Sequence, residues 1–451
     1  NAVKTRTAPS IKNMHTSVAA LQAILPFCFT GAQRRVLDEM ARDLAVQRPM
    51  LRLVQGDVGS GKTVVAAAAM LAAVRAGWQA ALMAPTELLA EQHFHNFSKW
   101  FSALGHDVVM LAGKLKKSQK DQVLALIAAG EVPLVIGTHA MFQSSVQFQR
   151  LALVVVDEQH RFGVQQRLAL RDKGGRGFSP HQLIMSATPI PRTLAQTLYA
   201  DLDVSVIDEL PPGRTPVLTV AMSNERRPDV LARIGEVCAQ GRQAYWVCTL
   251  VEESENLQAQ AAEETAQKLR EELPQLRVGL VHGRMKAADK EREMRAFKDG
   301  ATQLLVATTV IEVGVDVPNA SIMIIENAER LGLSQLHQLR GRVGRGAEAS
   351  QCVLMYQAPL GDTARARLAV MRATNDGFQI AQKDLELRGP GEILGRRQTG
   401  LIGLKVADPV RDAALIPPLQ KLADDWLHHH PREARTLISR WVGDVEKYAQ
   451  V

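Results

Sequence analysis

Eight consecutive residues, Gly56-Asp57-Val58-Gly59-Ser60-Gly61-Lys62-Thr63, have the composition and spacing of a phosphate-binding loop. The glycines let the chain curl until backbone N–H groups and the N-terminus of a following helix surround phosphate oxygens. Lys62 then supplies a point charge to the β- and γ-phosphates, and the Thr63 hydroxyl is placed to ligate Mg²⁺. Such a loop calls for ATP or a related nucleoside triphosphate. About 95 residues later Asp157-Glu158-Gln159-His160 follows an all-apolar run. A carboxylate there can hold Mg²⁺, largely through water, and its neighbour can orient and deprotonate an attacking water, which gives metal to Asp157 and catalysis to Glu158. A third segment, 335–345, carries arginines at 340, 342 and 345 between glycines. They need an anionic partner, and across a cleft they can reach the γ-phosphate and stabilise transition-state charge. A cleft closing on ATP in this way would also change the relative position of its two walls.

These groups need rigid elements to hold them. Two blocks alternate short apolar strands with helical stretches, the pattern of parallel sheets covered by helices. In the first block strands are predicted at 50–55, 79–84, 107–111, 133–137, 151–156 and 182–185, with helices at 62–75 and 87–104 closed by Gly77 and Gly105. The second block has strands at 216–221, 244–249, 277–281, 303–307, 321–325 and 352–356. Pro211-Pro212-Gly213 reads as the hinge between them. After Gln357 the alternation stops, and a mainly helical tail with a glycine-rich interruption at 389–400 follows. The phosphate loop thus falls between a strand and a helix, and the acidic pair at the end of a strand buried on both faces.

A chain of 451 residues with 46% hydrophobic and 22% charged residues can build about three globular domains and is not a disordered chain. Its longest apolar run, 64–74, is about half of a membrane span, and residues 1–13 show no signal-peptide core, so a cytoplasmic protein without a membrane partner is expected. The four cysteines have no CxxC spacing, which argues against a zinc ribbon or a disulfide scaffold. The net charge of +7 is concentrated in residues 1–210, which hold 22 basic and 16 acidic residues and a cluster at Lys114, Lys116, Lys117 and Lys120. A polyanionic partner fits this balance.

Taken in order, these segments resemble superfamily 2 helicases and translocases over nearly the whole chain. The resemblance implies that Gln33, in Thr30-Gly31-Ala32-Gln33, reads adenine. It implies DNA-backbone contacts at Thr86 and at Thr138 with His139, and a link from hydrolysis to strand movement at Thr188 in Ser186-Ala187-Thr188-Pro189. In the second lobe it places His282 and Thr308 at DNA, Asp316 at the ribose, Gln338 as a γ-phosphate sensor, and Arg342 and Arg345 as fingers. The stretches LVQGDVGSGKT, DEQHRFGVQQR, SATPIPRTLA and QLRGRVGRG are similar to the RecG family of branched-DNA translocases. The segment 384–392 with 395–400 resembles that family's TRG element, a helical hairpin and loop that couples the ATPase lobes to duplex DNA, here through Arg388, Arg397 and Gln398.

The fold implied is α/β, two tandem RecA-like parallel-sheet lobes followed by a small, mainly helical C-terminal TRG domain. Residues 1–26 form an incoming segment, 27–210 the ATP-binding lobe, 211–360 the second lobe and 361–451 the TRG domain. The activity implied is ATP-dependent translocation with 3′→5′ polarity on branched and duplex DNA. Holliday-junction migration, fork regression and D-loop and R-loop unwinding belong to it. A monomer is expected, with single-strand-binding protein among its partners. The family also carries a wedge barrel before its motor, and the residues preceding Gln33 are too few to build a five-stranded barrel, so a motor portion without the wedge is expected. Two further readings stay open: a transcription-repair coupling translocase, which shares the TRG element, and a nucleotide-regulated DNA clamp without turnover. His428-His429-His430 reads as a solvated helix end, and Trp426 and Trp441 as core residues.

Overall fold

The computed structural model describes residues 7–113, 117–143, 145–158, 178–187, 202–211, 215–249, 255–308, 317–344, 349–388 and 415–442, with the single positions 173, 346 and 412. Among them are two all-parallel sheets. The first contains β1 (Leu51–Gly56), β2 (Gln79–Met83), β3 (Val108–Leu111), β4 (Leu134–Gly137), β5 (Leu151–Asp157), β6 (His181–Ser186) and β7 (Asp203–Ile207), in the order β3-β4-β2-β5-β6-β1-β7. The second contains β8 (Leu218–Ser223), β9 (Gln243–Val247), β10 (Val278–Val281), β11 (Leu304–Ala307), β12 (Ala320–Ile325) and β13 (Gln351–Tyr356), in the order β10-β11-β9-β12-β13-β8.

The strands form because their residues suit burial on both faces. β5 is buried from 151 to 156, as a central parallel strand covered by helices requires. The helix Lys62–Arg75 is buried at every position from 64 to 74, so the longest apolar run is a core helix. Among the described residues no helix is long and apolar enough to cross a membrane. The strand β7 lies outside the sequence expectation. Its burial alternates, because it is the edge strand beside β1, and so it lacks the continuous apolar run that marks its neighbours.

Residues before the phosphate loop belong to the first lobe's core. Ile11, Met14, Leu21 and Leu25 are buried in the cluster that includes the helix Lys62–Arg75. His181 Nδ1 accepts the Met50 N–H, which leaves its proton on Nε2 to donate to the Pro9 carbonyl at 2.7 Å. Arg52 on β1 is 8% exposed and donates to Glu39, Asp43 and Ser205, tying β1 and β7 to the helix Gly31–Leu44. The described tail splits. Leu368, Met371 and Ile380, on helices Asp362–Ala373 and Gly377–Arg388, are buried in the second lobe's core. The helices Ile416–His429 and Pro431–Val442 instead pack on each other. Trp426 is 39% exposed with its ring against His430, so it is not the core residue its sequence suggests.

Leu153→Ala would leave a cavity at the centre of β5 two strands from the phosphate loop. A loss of about 2–5 kcal/mol is expected, read as a lower midpoint of the first lobe's transition in denaturant. A midpoint within error of the parent would contradict the packing described.

Candidate nucleotide site and its link to the second lobe

Parallel strands deliver their carboxyl ends to one edge of the sheet, where open α/β sheets bind ligands. β6 lies between β1 and β5, with Gln55 opposite Ser186 and Met185 opposite Asp157. The loop after β1, the Ser186-Ala187 turn after β6 and the acidic pair after β5 are therefore neighbours.

The phosphate loop is shaped by close approach. Gly61 has φ 85°, and a Cβ on it would lie 2.3 Å from Gln33 Nε2. Only glycine fits there. Thr30 and Gln33 form a capping box: the Thr30 hydroxyl accepts the Gln33 N–H, and Gln33 Oε1 accepts the Thr30 N–H. The Gln33 amide also donates to the Ser60 carbonyl at 2.9 Å, so this buried side chain ties the helix Gly31–Leu44 to the loop. The Lys62 ammonium donates to the carbonyls of Gly56 and Asp57 at 2.6 and 2.9 Å, which holds it over the loop.

At the end of β5, Glu158 has φ 54°, which turns the chain sharply after Asp157. Burial and the Asp157 charge push the Glu158 carboxyl above its ordinary range, while Lys62, Arg342 and the Ala187 N–H pull it down. A raised carboxyl poised beside two cations suits a general base. Arg342, from the second lobe, is within electrostatic reach of Glu158. Asp157 is held by His93, whose Nε2 donates to Oδ2 at 2.8 Å. The Thr63 hydroxyl and the free face of Asp157 are hard oxygen donors of the kind Mg²⁺ takes alongside phosphate oxygens and water. Among the described residues no group of three or more His, Cys, Asp or Glu side chains forms a dedicated metal cage.

The Asp57 carboxylate faces the second lobe and the tail. Its Oδ1 accepts His337 Nε2–H of the second lobe at 2.8 Å, and its Oδ2 accepts the Gly377 N–H at 3.1 Å. Burial alone would raise its carboxyl, but these two donors and the Lys62 charge hold it below its ordinary range. Gly341 packs on Val58, where a Cβ would come within 3.0 Å. Arg340 is not an anion ligand. It is buried, and donates to the Met371 and Thr374 carbonyls and to His337 Nδ1.

The remaining expected residues are placed as follows. Thr86 caps the helix Glu87–Ser102 by accepting the Leu89 N–H. Thr138 is buried and His139 exposed. His282 is buried with Nε2 3.2 Å from Glu263 Oε1, and Thr308 is buried next to β11. Gln338 is half-buried on the helix Leu333–Arg340. Arg388 ends the helix Gly377–Arg388, its side chain lying outside the described residues, as do Thr188, Asp316, Arg345, Arg397 and Gln398. Sequence reasoning missed His93 and His337. Each sits on the apolar stripe of its helix, with Leu89, Phe97 and Phe101 or with Leu333, Leu336 and Leu339, where a polar side chain needs a buried partner.

Three family models match: DEAD/DEAH box helicase over 30–197, helicase conserved C-terminal domain over 229–347, and the C-terminal part of domain 3 of ATP-dependent DNA helicase RecG over 374–439. The ATP-dependent DNA helicase RecG of Escherichia coli K12 is 64% identical over 95% of this chain and 62% of its own length. That of Streptococcus pneumoniae is 49% identical over 90% and 60%. The chain therefore spans about three fifths of the length of the curated relatives it matches. A solved structure of RecG bound to a three-way DNA junction superposes with a TM-score of 0.77 at 42% identity, covering 91% of this chain and 53% of the other. Yeast Dbp5 bound to RNA and ADP BeF3, at 16% identity and a TM-score of 0.58, shares the two-lobe fold.

Glu158→Gln is expected to keep nucleotide affinity and to slow hydrolysis by ~10²–10⁴-fold, the range for losing a general base. Lys62→Ala should weaken nucleotide binding itself. Equilibrium titration with labelled nucleotide and a single-turnover assay separate the two, and parental turnover by Glu158→Gln would remove Glu158 from the chemistry.

Proposed function

The chain belongs to the RecG family of helicases, and from that premise we propose that it is an ATP-driven motor that moves along duplex DNA at branched junctions. The observation that carries this reading is the division of the hydrolytic groups between lobes. Lys62 and Glu158 stand on one lobe, and Arg342 from the other is close enough to act electrostatically on the same carboxyl. Hydrolysis then requires the lobes to meet, and product release lets them part. A clamp that only held DNA would have no need of Glu158 between two cations.

In this reading Gly56, Asp57, Val58, Gly59, Ser60, Gly61, Lys62 and Thr63 form the nucleotide cradle, Gln33 sets its edge, and Asp316 belongs to the ribose. Thr63 and Asp157 hold Mg²⁺, which neutralises phosphate charge when bound. Glu158 takes the proton of the attacking water, and Gln338, Arg342 and Arg345 meet the charge that develops at the γ-phosphate. Thr86, Thr138, His139, Thr188, His282 and Thr308 serve the DNA track, and Arg388, Arg397 and Gln398 pass lobe closure to the duplex. A relative solved on a three-way junction supports branched DNA as the substrate class. Junction migration, fork regression and the unwinding of D-loops and R-loops follow from such a motor, with the 3′→5′ sense of the family. The basic balance of residues 1–210 supports binding through phosphates with little base preference.

The test is displacement of a third strand from duplex DNA. ATP should drive it and a non-hydrolysable analogue should not, while Arg388→Ala should keep DNA-stimulated hydrolysis and lose displacement. Displacement without hydrolysis, or equal loss of both activities in Arg388→Ala, would contradict the motor and the coupling role respectively. Binding should also weaken steeply between 50 and 200 mM salt, as phosphate contacts dictate.

A further inference from the structure

The second residue of the phosphate loop does something a phosphate cradle does not require. Asp57 carries negative charge into a loop built for anions, yet its carboxylate points to the second lobe and the tail. A guanidinium can only donate, so Arg340 at 3.0 Å makes His337 Nδ1 an acceptor and leaves the ring proton on Nε2. That proton is donated to Asp57. The chain of contacts runs from the Asp57 carboxylate through the His337 ring to the Arg340 guanidinium, and ends on the carbonyls of Met371 and Thr374 where the helix Asp362–Ala373 stops.

The other oxygen of Asp57 takes the Gly377 N–H, in the first turn of the helix Gly377–Arg388. That helix packs on Leu333–Arg340, where the Ser334 hydroxyl donates to Asp384 at 3.0 Å. Gln338 and Arg342 lie one and five residues beyond His337, and the Val58–Gly341 contact leaves no room between this segment and the loop. The four groups joined at Asp57 and His337 are therefore the phosphate loop, the finger segment, the end of one tail helix and the start of the next.

We propose that Asp57 and His337 are positioning residues that dock the Gln338–Arg342 segment on the phosphate loop, and that through Gly377 the same carboxylate transmits the position of the loop to the helix that ends at Arg388. Nucleotide binding draws on the backbone N–H groups and on Lys62, whose ammonium bonds the Asp57 carbonyl. A shift of that carbonyl moves the Asp57 side chain, and with it the second lobe and the tail helix together. The inference rests on the motor reading, and deepens it by naming the contact that joins the nucleotide to the coupling helix.

The experiment uses the full chain with Cys28→Ser, spin labels at Lys99→Cys and Gln240→Cys on the outer surfaces of the two lobes, and Asp57→Ala, His337→Phe, the double variant and His337→Gln. In the presence of duplex DNA, Asp57→Ala and His337→Phe should each lower kcat roughly tenfold or more, the scale of a lost charge-assisted hydrogen bond, with KM for ATP within about threefold of the parent. The double variant should be no more than about twofold worse than the worse single one. The distance distribution between labels should broaden in both single variants. His337→Gln should recover kcat and the narrow distribution, because its amide can donate to Asp57 and accept from Arg340. A raised KM with unchanged kcat and distances, or multiplicative losses in the double variant, would overturn the docking role. Absence of hydrolysis in the parent would overturn the motor reading instead, and the distance distributions alone would then decide the docking role. Should His337→Phe fail to fold, Asp57→Ala against His337→Gln carries the same comparison.

Discussion

A parallel sheet offers its chemistry at one edge only, and the candidate nucleotide site of this chain follows from which strands end side by side there. Because β6 lies between β1 and β5, the phosphate loop and the acidic pair sit two strands apart, with the Ser186-Ala187 turn between them. The Ala187 N–H reaches Glu158, and Lys62 and Asp157 act on the same carboxyl. Apart from the neighbours Asp157 and Glu158, these groups are far apart in sequence. Burial on both faces keeps water from β5, and burial of the Glu158 carboxyl raises the cost of its charge until cations share the site.

The same edge explains why the second lobe must contribute. A buried carboxyl beside another carboxylate is a poor anion unless positive charge approaches, and Arg342 brings it from across the cleft. Among the described residues the contacts between the lobes include Gly341 against Val58, Leu88 against the second lobe's core, Arg295 against Glu91, and Asp57 against His337 and Gly377. Charge-assisted hydrogen bonds suit two bodies that close and part, since a large apolar interface would hold them shut. The helices Asp362–Ala373 and Gly377–Arg388 place Leu368, Met371 and Ile380 in the second lobe's core, which ties them to that lobe.

Much of this was legible in the residues. The helix 62–75 has the bounds its sequence predicts, and twelve strands lie within two residues of the predicted ends, because short β-branched runs such as LALVVV suit a parallel strand buried on both faces. The phosphate loop and acidic pair were legible because their chemistry is local. What escaped is non-local. β7 is an edge strand whose alternation looks like a polar loop. His93 and His337 take their meaning from Asp157 and Asp57, which are 64 and 280 residues away. Arg340 reads like its neighbours 342 and 345 in a run of arginines, and only burial shows that it serves helix carbonyls. Trp426 follows an amphipathic pattern that predicts a core, yet the described residues leave it partly open.

Release of phosphate from ATP, followed with and without a three-way DNA junction at one fixed salt concentration, bears most directly on the proposal that two lobes share one hydrolytic site in a motor that acts on branched DNA. Slow release by the chain alone and at least a tenfold increase with the junction is the result this account predicts. Tight nucleotide and junction binding with no release, or a rate indifferent to DNA, would contradict it.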